Sequence, residues 1–227
     1  MIGPENKSAL GKKRIGLFGG TFNPIHSGHL KAAAVVFRTC ALDEILFIPS
    51  FFPPHKESES VVSAEHRLRM VKLAVEGNSN FFVSDIEIKD RGKSYSILTL
   101  NKLRRIYPHA LFFFILGIDA FLDIETWKDY RRVLDLCSFV VISRPGYHLS
   151  EAGKVLGKKY RDRIQELQKT NTIGGAQNDC HKIFILPFEA LDVSSTEIRE
   201  RLKKGLSIKG KVPPSVNEYI MRNKLYQ

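Results

Sequence analysis

Short, almost unbroken apolar runs alternate along this chain with longer stretches in which apolar residues return every three or four positions. The runs at 14–18, 44–49, 81–84, 111–116, 139–143 and 183–187 read as strands. Continuous hydrophobicity, as opposed to strict alternation, marks a strand covered on both faces. The periodic stretches at 30–38, 64–75, 96–106, 128–136, 151–169, 196–204 and 215–223 read as helices. Strands and helices taking turns predict an α/β fold: a Rossmann-like, doubly wound, mainly parallel sheet with helices on both faces. Such sheets bind ligands beyond the carboxyl ends of their strands. The segments 50–63, rich in Pro, Ser and charge, and 170–180, with Gly174-Gly175, read as surface loops. The first is a candidate lid over substrate.

Composition narrows the class. The 227 residues, 43% of them hydrophobic, suffice for one domain at 13–227 behind a loose tail at 1–12, and exclude wholesale disorder. No apolar run approaches the roughly 20 residues of a membrane span, and the short apolar stretch behind Lys12, Lys13 and Arg14, ending in Gly-Gly, does not read as a secretory signal. Cys40, Cys137 and Cys180 are odd in number, scattered and without a Cys-x-x-Cys pair. That pattern predicts free thiols in a reducing cytoplasm instead of a disulfide framework or a zinc site. The net charge of +11 suits an anionic partner. Acids interleave the basic helices, and no arginine-glycine tract or RNA-binding signature is present. Small anions are therefore favoured over nucleic acid.

The chemistry concentrates at Gly19-Gly20-Thr21-Phe22-Asn23-Pro24-Ile25-His26-Ser27-Gly28-His29, between the first strand and the first helix. A Gly-rich strand-to-helix turn presents backbone N–H groups to a phosphate. His26 and His29, three apart, add donors on one side of a helical first turn. The turn carries neither the Gly-x-Gly-x-x-Gly nor the Gly-Lys-Ser/Thr pattern. A second candidate phosphate grip is Ser194-Ser195-Thr196-Glu197-Ile198-Arg199, where a capping-box pattern opens a helix and brings two hydroxyls and a guanidinium to its start. Taken alone, it is equally a well-capped surface helix. Pro53-Pro54-His55-Lys56 presents a His and a Lys on a stiff loop. Asp119, in Gly117-Ile118-Asp119, can accept from ribose hydroxyls or cap a helix. Trp127, the sole tryptophan, is a core residue or a stacking platform.

In this order, these segments resemble the nucleotidyltransferase superfamily marked by a His-x-Gly-His motif, here His26-Ser27-Gly28-His29. Within it they are similar to the bacterial nicotinate-nucleotide adenylyltransferases. Pro53-Pro54-His55-Lys56 points past the superfamily to that family. Ser94-Tyr95-Ser96-Ile97-Leu98-Thr99-Leu100, Gly117-Ile118-Asp119, Trp127, Arg144-Pro145-Gly146 and Ser194–Arg199 follow its spacing. Asn23 stands where many members have Asp, Ser96 replaces a Thr and Val193 an Ile; none of these removes a presumed catalytic group.

The resemblance implies transfer of an adenylyl group from ATP to nicotinate mononucleotide in NAD biosynthesis, with pyrophosphate released. It implies that Gly19, Gly20, Thr21, Phe22, Asn23 and Gly117 border ATP. His26 and His29 would donate to the triphosphate, and Ser195, Thr196 and Arg199 would grip its outer phosphates. His55 and Lys56 would neutralise charge where the two anions meet. Trp127 would stack on the pyridine ring, Asp119 would hold a ribose, and Arg144 would lie near the nucleotide. The backbone around Tyr95–Thr99, with Thr99 itself, would receive the nicotinate carboxylate. Mg²⁺ would ride mainly on the ATP phosphates, with no protein cage. The neighbouring readings are the same transfer to nicotinamide mononucleotide, a phosphopantetheine-type adenylyltransferase or cytidylyltransferase, and a non-catalytic basic RNA-binding module on the same fold.

Overall fold

The computed structural model describes residues 12–52, 61–143, 156, 158–167, 181–188 and 191–227. Seven strands, β1 (Arg14–Gly20), β2 (Glu44–Pro49), β3 (Phe81–Val83), β4 (Leu111–Gly117), β5 (Ser138–Ser143), β6 (Ile164–Glu166) and β7 (Ile183–Pro187), form one sheet in the order β3-β2-β1-β4-β5-β7-β6. Every pairing is parallel. The helices are α1 (Ser27–Thr39), α2 (Ala64–Val75), α3 (Ile86–Asp90), α4 (Ser96–Ile106), α5 (Ile118–Leu122), α6 (Tyr130–Leu134), α7 (Lys158–Arg161), α8 (Ser195–Lys203) and α9 (Pro214–Arg222), with a 3-10 turn at Ile124–Thr126.

Alternate residues of the apolar strands supply two cores. On one face Phe18, Phe47 and Ile115 pack against Ala33 and Val36 of α1, Met70 and Val71 of α2, Ile198 of α8, and Val216 and Ile220 of α9. On the other, Ile15, Leu17 and Phe114 meet Leu100 and Leu103 of α4, Phe121 of α5 and Val133 of α6. The doubly wound prediction therefore holds, and both faces are covered as the unbroken apolar runs require. The chain builds outward from β1 to β3 in one direction, then returns to add β4, β5 and β7 in the other. The reversal between β1 and β4 opens a crevice at their carboxyl ends.

Two helices, α2 and α4, begin and end where the periodicity places them. The helix expected over 151–169 is a correction. Its described part holds only the short α7, followed by strand β6, which pairs Ile164 with Ile183. An edge of β7 offering hydrogen bonds outweighs the local charge periodicity there. The helix expected at 128–136 shrinks to α6, because Asp129 adopts a left-handed backbone with φ +53 just before it. Cys40 and Cys137 are buried, while Cys180 lies outside the described residues. Among the described residues no helix is long and apolar enough to cross a membrane.

Candidate active site

A cleft of about 640 Å³ opens at the carboxyl ends of β1, β4 and β5, bounded on its far side by the start of α8. It gathers Gly19, Gly20, Phe22, His26, His29, Gly117 and Ser195. These seven were all expected beside ATP. The sequence brings them together because β1 and β4 are neighbours while the helix carrying Ser195 follows β7.

The turn between β1 and α1 is tightly specified. His26 precedes the first turn of α1 with an extended backbone. Its N–H donates to Nδ1 of His29 at 3.2 Å. The two imidazoles lie with centroids 3.7 Å apart and planes 35° from parallel. Phe22 wedges beneath His29, edge-on at 5.2 Å, and against Phe18 at 5.8 Å. Its backbone reaches the left-handed region, φ +48. Gly28 has no side chain for a steric reason: a Cβ there would sit 3.0 Å from Nδ1 of His26 and 3.1 Å from Cγ1 of Val193. A side chain there would press on the His26 ring and on the approach to α8, a tight contact that glycine avoids.

The Ser194–Arg199 motif faces that turn and is bonded to it. Ser194 caps α8 by accepting the Glu197 N–H at 3.1 Å. Glu197 does not complete a capping box; its carboxylate pairs with Lys211 at 2.8 Å, and that bond holds it below the usual carboxylate range. The Ser195 hydroxyl donates to the Pro24 carbonyl at 2.9 Å, and Arg199 donates from Nη1 to the Asn23 carbonyl at 2.9 Å and from Nη2 to Thr196 Oγ1 at 3.2 Å. Thr196 is exposed. Asn23, expected at ATP, is buried, and its Oδ1 accepts from the Val62 N–H at 3.2 Å and the Tyr226 hydroxyl at 2.9 Å. Its role in the structure is to brace the turn. Thr21 is half-buried, and its carbonyl accepts from Arg67 at 2.8 Å.

A second cluster lies on the opposite face of the sheet. Tyr95 and Trp127 both pack at the edge of that core. Lys128 Nζ stands 4.9 Å over the Tyr95 ring, and Trp127 is half-buried, edge-on to Phe114 at 5.7 Å. Asp119 is exposed in the first turn of α5, where Gly117, not Asp119, holds the cap position. Thr99 is 6% exposed and donates its hydroxyl proton to Glu87 Oε1 at 2.7 Å. Direct donation from the Thr99 hydroxyl to a ligand is therefore not offered; the Leu98 and Thr99 N–H groups donate to the Tyr95 carbonyl at 2.9 and 3.3 Å, which leaves those of Ser96 and Ile97 as the donors at the start of α4. Burial pushes the Glu87 carboxyl above its ordinary range, against the hydrogen bonds from Thr99 and Ser94. His55, Lys56 and Arg144 lie outside the described residues.

Three site-building residues have no place in the expectations above: Arg67, Glu87 and Tyr226. Arg67 alone had a sequence signal, a cation within the apolar stripe Ala64, Met70, Val71 and Val75 of α2. Among the described residues no three His, Cys, Asp or Glu side chains are grouped to hold a metal ion.

The Cytidylyltransferase-like family profile matches residues 17–201. A Geotalea daltonii protein named "Probable nicotinate-nucleotide adenylyltransferase" is 42% identical over 217 residues, 94% of this chain and 98% of the relative. One of the same name from Desulfitobacterium hafniense is 41% identical over 215 residues, 95% and 96% of the two chains. Among solved structures, a Plasmodium falciparum nicotinic acid mononucleotide adenylyltransferase complexed with NaAD superposes with a TM-score of 0.72 at 21% identity, covering 94% of this chain and 97% of that one. The fold is thus shared with that enzyme, and the near full-length identity to the bacterial relatives shows that this chain belongs to the nicotinate-nucleotide adenylyltransferase family of cytidylyltransferase-like nucleotidyltransferases.

Proposed function

We propose that the protein transfers the adenylyl group of ATP to nicotinate mononucleotide, yielding nicotinate adenine dinucleotide and pyrophosphate. The observation that carries this reading is the β1/β4 cleft itself, which gathers the closely packed His26 and His29 rings, Gly19, Gly20 and the start of α8. Such an array of N–H, hydroxyl and imidazole donors suits phosphate oxygens.

An oxygen of the mononucleotide phosphate attacks the α-phosphorus in line, forming a P–O bond as the bond to the bridging oxygen of pyrophosphate breaks. That attacking oxygen is already anionic near neutral pH, so no general base is required. Catalysis rests on positioning and on charge stabilisation. His29 accepts the His26 N–H at Nδ1, which places the ring proton of the neutral imidazole on Nε2. That N–H is the donor assigned to the α-phosphate. Gly19 and Gly20 offer backbone to the triphosphate, and Thr196 with the remaining Arg199 N–H groups binds its outer phosphates. His55 and Lys56 are assigned to the meeting point of the two anions, and Arg144 to the nucleotide. Mg²⁺ would be carried in on the ATP phosphates, with waters completing its shell, and there it would supply charge neutralisation for the departing pyrophosphate.

Trp127 is assigned to stack on the pyridine ring and Asp119 to hold a ribose. The N–H groups at the start of α4 favour a carboxylate, which only accepts, over a carboxamide, whose NH₂ would face them. The test is product analysis: ATP, Mg²⁺ and nicotinate mononucleotide must yield nicotinate adenine dinucleotide and pyrophosphate in equal amounts. Absence of both would overturn the reading.

A further inference from the structure

Arg67 is the bulkiest fully buried side chain among the described residues, 1% exposed; of their carboxylates only Glu65 acts on it electrostatically, and none accepts a hydrogen bond from its guanidinium. Its guanidinium spends its fork on three backbone carbonyls: Nε on Val62 at 3.1 Å, Nη1 on Thr21 at 2.8 Å and Nη2 on Phe51 at 3.0 Å. Burying a charge without a counter-ion is costly. An apolar side chain would fill the same place in the stripe of α2 without that cost. What it could not do is hold three loops at once.

Those loops are the ones that matter to the site. Thr21 follows Gly19-Gly20 at the end of β1. Phe51 follows β2, and its N–H donates to Ser94 Oγ at 3.0 Å while the Phe52 carbonyl accepts the Ser94 N–H at 3.2 Å. Ser94 leads directly into Tyr95 and α4. The Ser50 N–H, donating to the Gly20 carbonyl at 3.0 Å, closes the same seam. Arg67 therefore stands at the junction between the turn on the ATP side and the segment that opens the second cluster.

We propose that Arg67 is a positioning residue for adenylyl transfer: its three-carbonyl fork fixes the turn after β1 relative to the Phe51–Ser94 junction, so that donor and acceptor phosphates meet in line. The kinetic part of this inference rests on the adenylyl-transfer reading above. The planar fork is the essential feature. A lysine keeps the charge but reaches one carbonyl at a time.

The test compares wild type, Arg67→Met and Arg67→Lys, each confirmed folded by a cooperative melt and assayed well below its melting temperature. Arg67→Met is expected to lose about 100-fold in kcat, the scale of a small misplacement of reacting groups, with KM for ATP changing only a few-fold. Arg67→Lys is expected to stay at least about 10-fold below wild type. Hydrogen exchange is the substrate-free readout: amides of 20–22 and 50–52 exchange faster in both variants while the β4 and β5 amides do not. Wild-type kcat in folded Arg67→Met, or full recovery in Arg67→Lys, overturns the proposal. If Arg67→Met does not fold, Arg67→Lys decides by the same criteria. An inactive wild type with faster exchange in the variants overturns the adenylyl reading and leaves the loop-holding role standing; unchanged exchange overturns that role.

Discussion

The backbone N–H of His26 donates to Nδ1 of His29 at 3.2 Å while the two rings lie with centroids 3.7 Å apart. One histidine thus sets the tautomer and the aim of the other, and Phe22 closes the far side at 5.2 Å. Replacing His29 by Ala removes the assigned donor to the α-phosphate. The expected loss is about 10²–10³-fold in kcat, the scale of deleting one transition-state donor, read by steady-state pyrophosphate release. Near-normal turnover in a folded His29→Ala protein would remove His29 from the mechanism.

Gly28→Ala tests the same geometry without touching a donor. The added Cβ would stand 3.0 Å from the His26 ring and 3.1 Å from Val193. Because the clash is with a packed ring and the approach to α8, we expect about 1–3 kcal/mol of destabilisation, together with a fall in kcat. Denaturant melts and kinetics on one preparation check both. A variant with unchanged stability and turnover would show that the His26 ring is free to move aside.

Glu87 gives a pH signature. Burial raises its folded-state pKa above the ordinary glutamate value that it has in the unfolded chain. The folded state therefore holds the proton more tightly than the unfolded chain. Its contribution to stability is present in full below that value and is lost as pH rises through the higher folded pKa. Glu87→Gln keeps an acceptor for Thr99 and deletes the ionisation. Melting temperatures measured from pH 4 to pH 7 are expected to show the variant gaining on wild type as pH rises. Parallel curves would contradict the assignment.

Tyr226 reaches across 203 positions of sequence to donate to Asn23 Oδ1 at 2.9 Å. Burial pushes its phenol well above the usual tyrosine range, so it remains a donor at any working pH. Tyr226→Phe is expected to cost about 0.5–1.5 kcal/mol, the net worth of one hydrogen bond, and to raise KM for ATP by loosening Asn23. Chemical denaturation and ATP titration read the two effects separately.

Trp127→Ala separates stacking from packing. Base–aromatic stacking is worth roughly 1–3 kcal/mol, so mononucleotide affinity should fall about 10-fold or more while ATP affinity holds. Calorimetric titration with each ligand measures both, and an unchanged mononucleotide affinity would leave Trp127 only its place against Phe114.

The parts of this molecule that were legible in sequence are those with a local cause. The six apolar runs are strands, all but the edge strand β3 buried on both faces along most of their length, and Ala64–Val75 and Ser96–Ile106 are helices because their apolar stripes have helical spacing. Gly19-Gly20 and His26–His29 show themselves through their spacing at one turn. What escaped has a distant cause. Strand β6 exists because β7 offers an edge to Ile164–Glu166, and α3 and α5, at five residues each, are too short to register a period. Arg67 resembles any cation with its stem on an apolar helix face. Only the three carbonyls folded around it reveal its task. Tyr226 carries no local signal at all, because its partner lies at the other end of the chain.

The most direct test of the account is pyrophosphate release with ATP and Mg²⁺, comparing nicotinate mononucleotide and nicotinamide mononucleotide side by side. N–H donors at the start of α4 receiving a carboxylate predict a kcat/KM for the acid at least about 10²-fold above that for the amide, since a polar site discriminates strongly when its groups are mismatched. Equal values would contradict the carboxylate-binding assignment, and no release with either would contradict adenylyl transfer to a pyridine mononucleotide altogether.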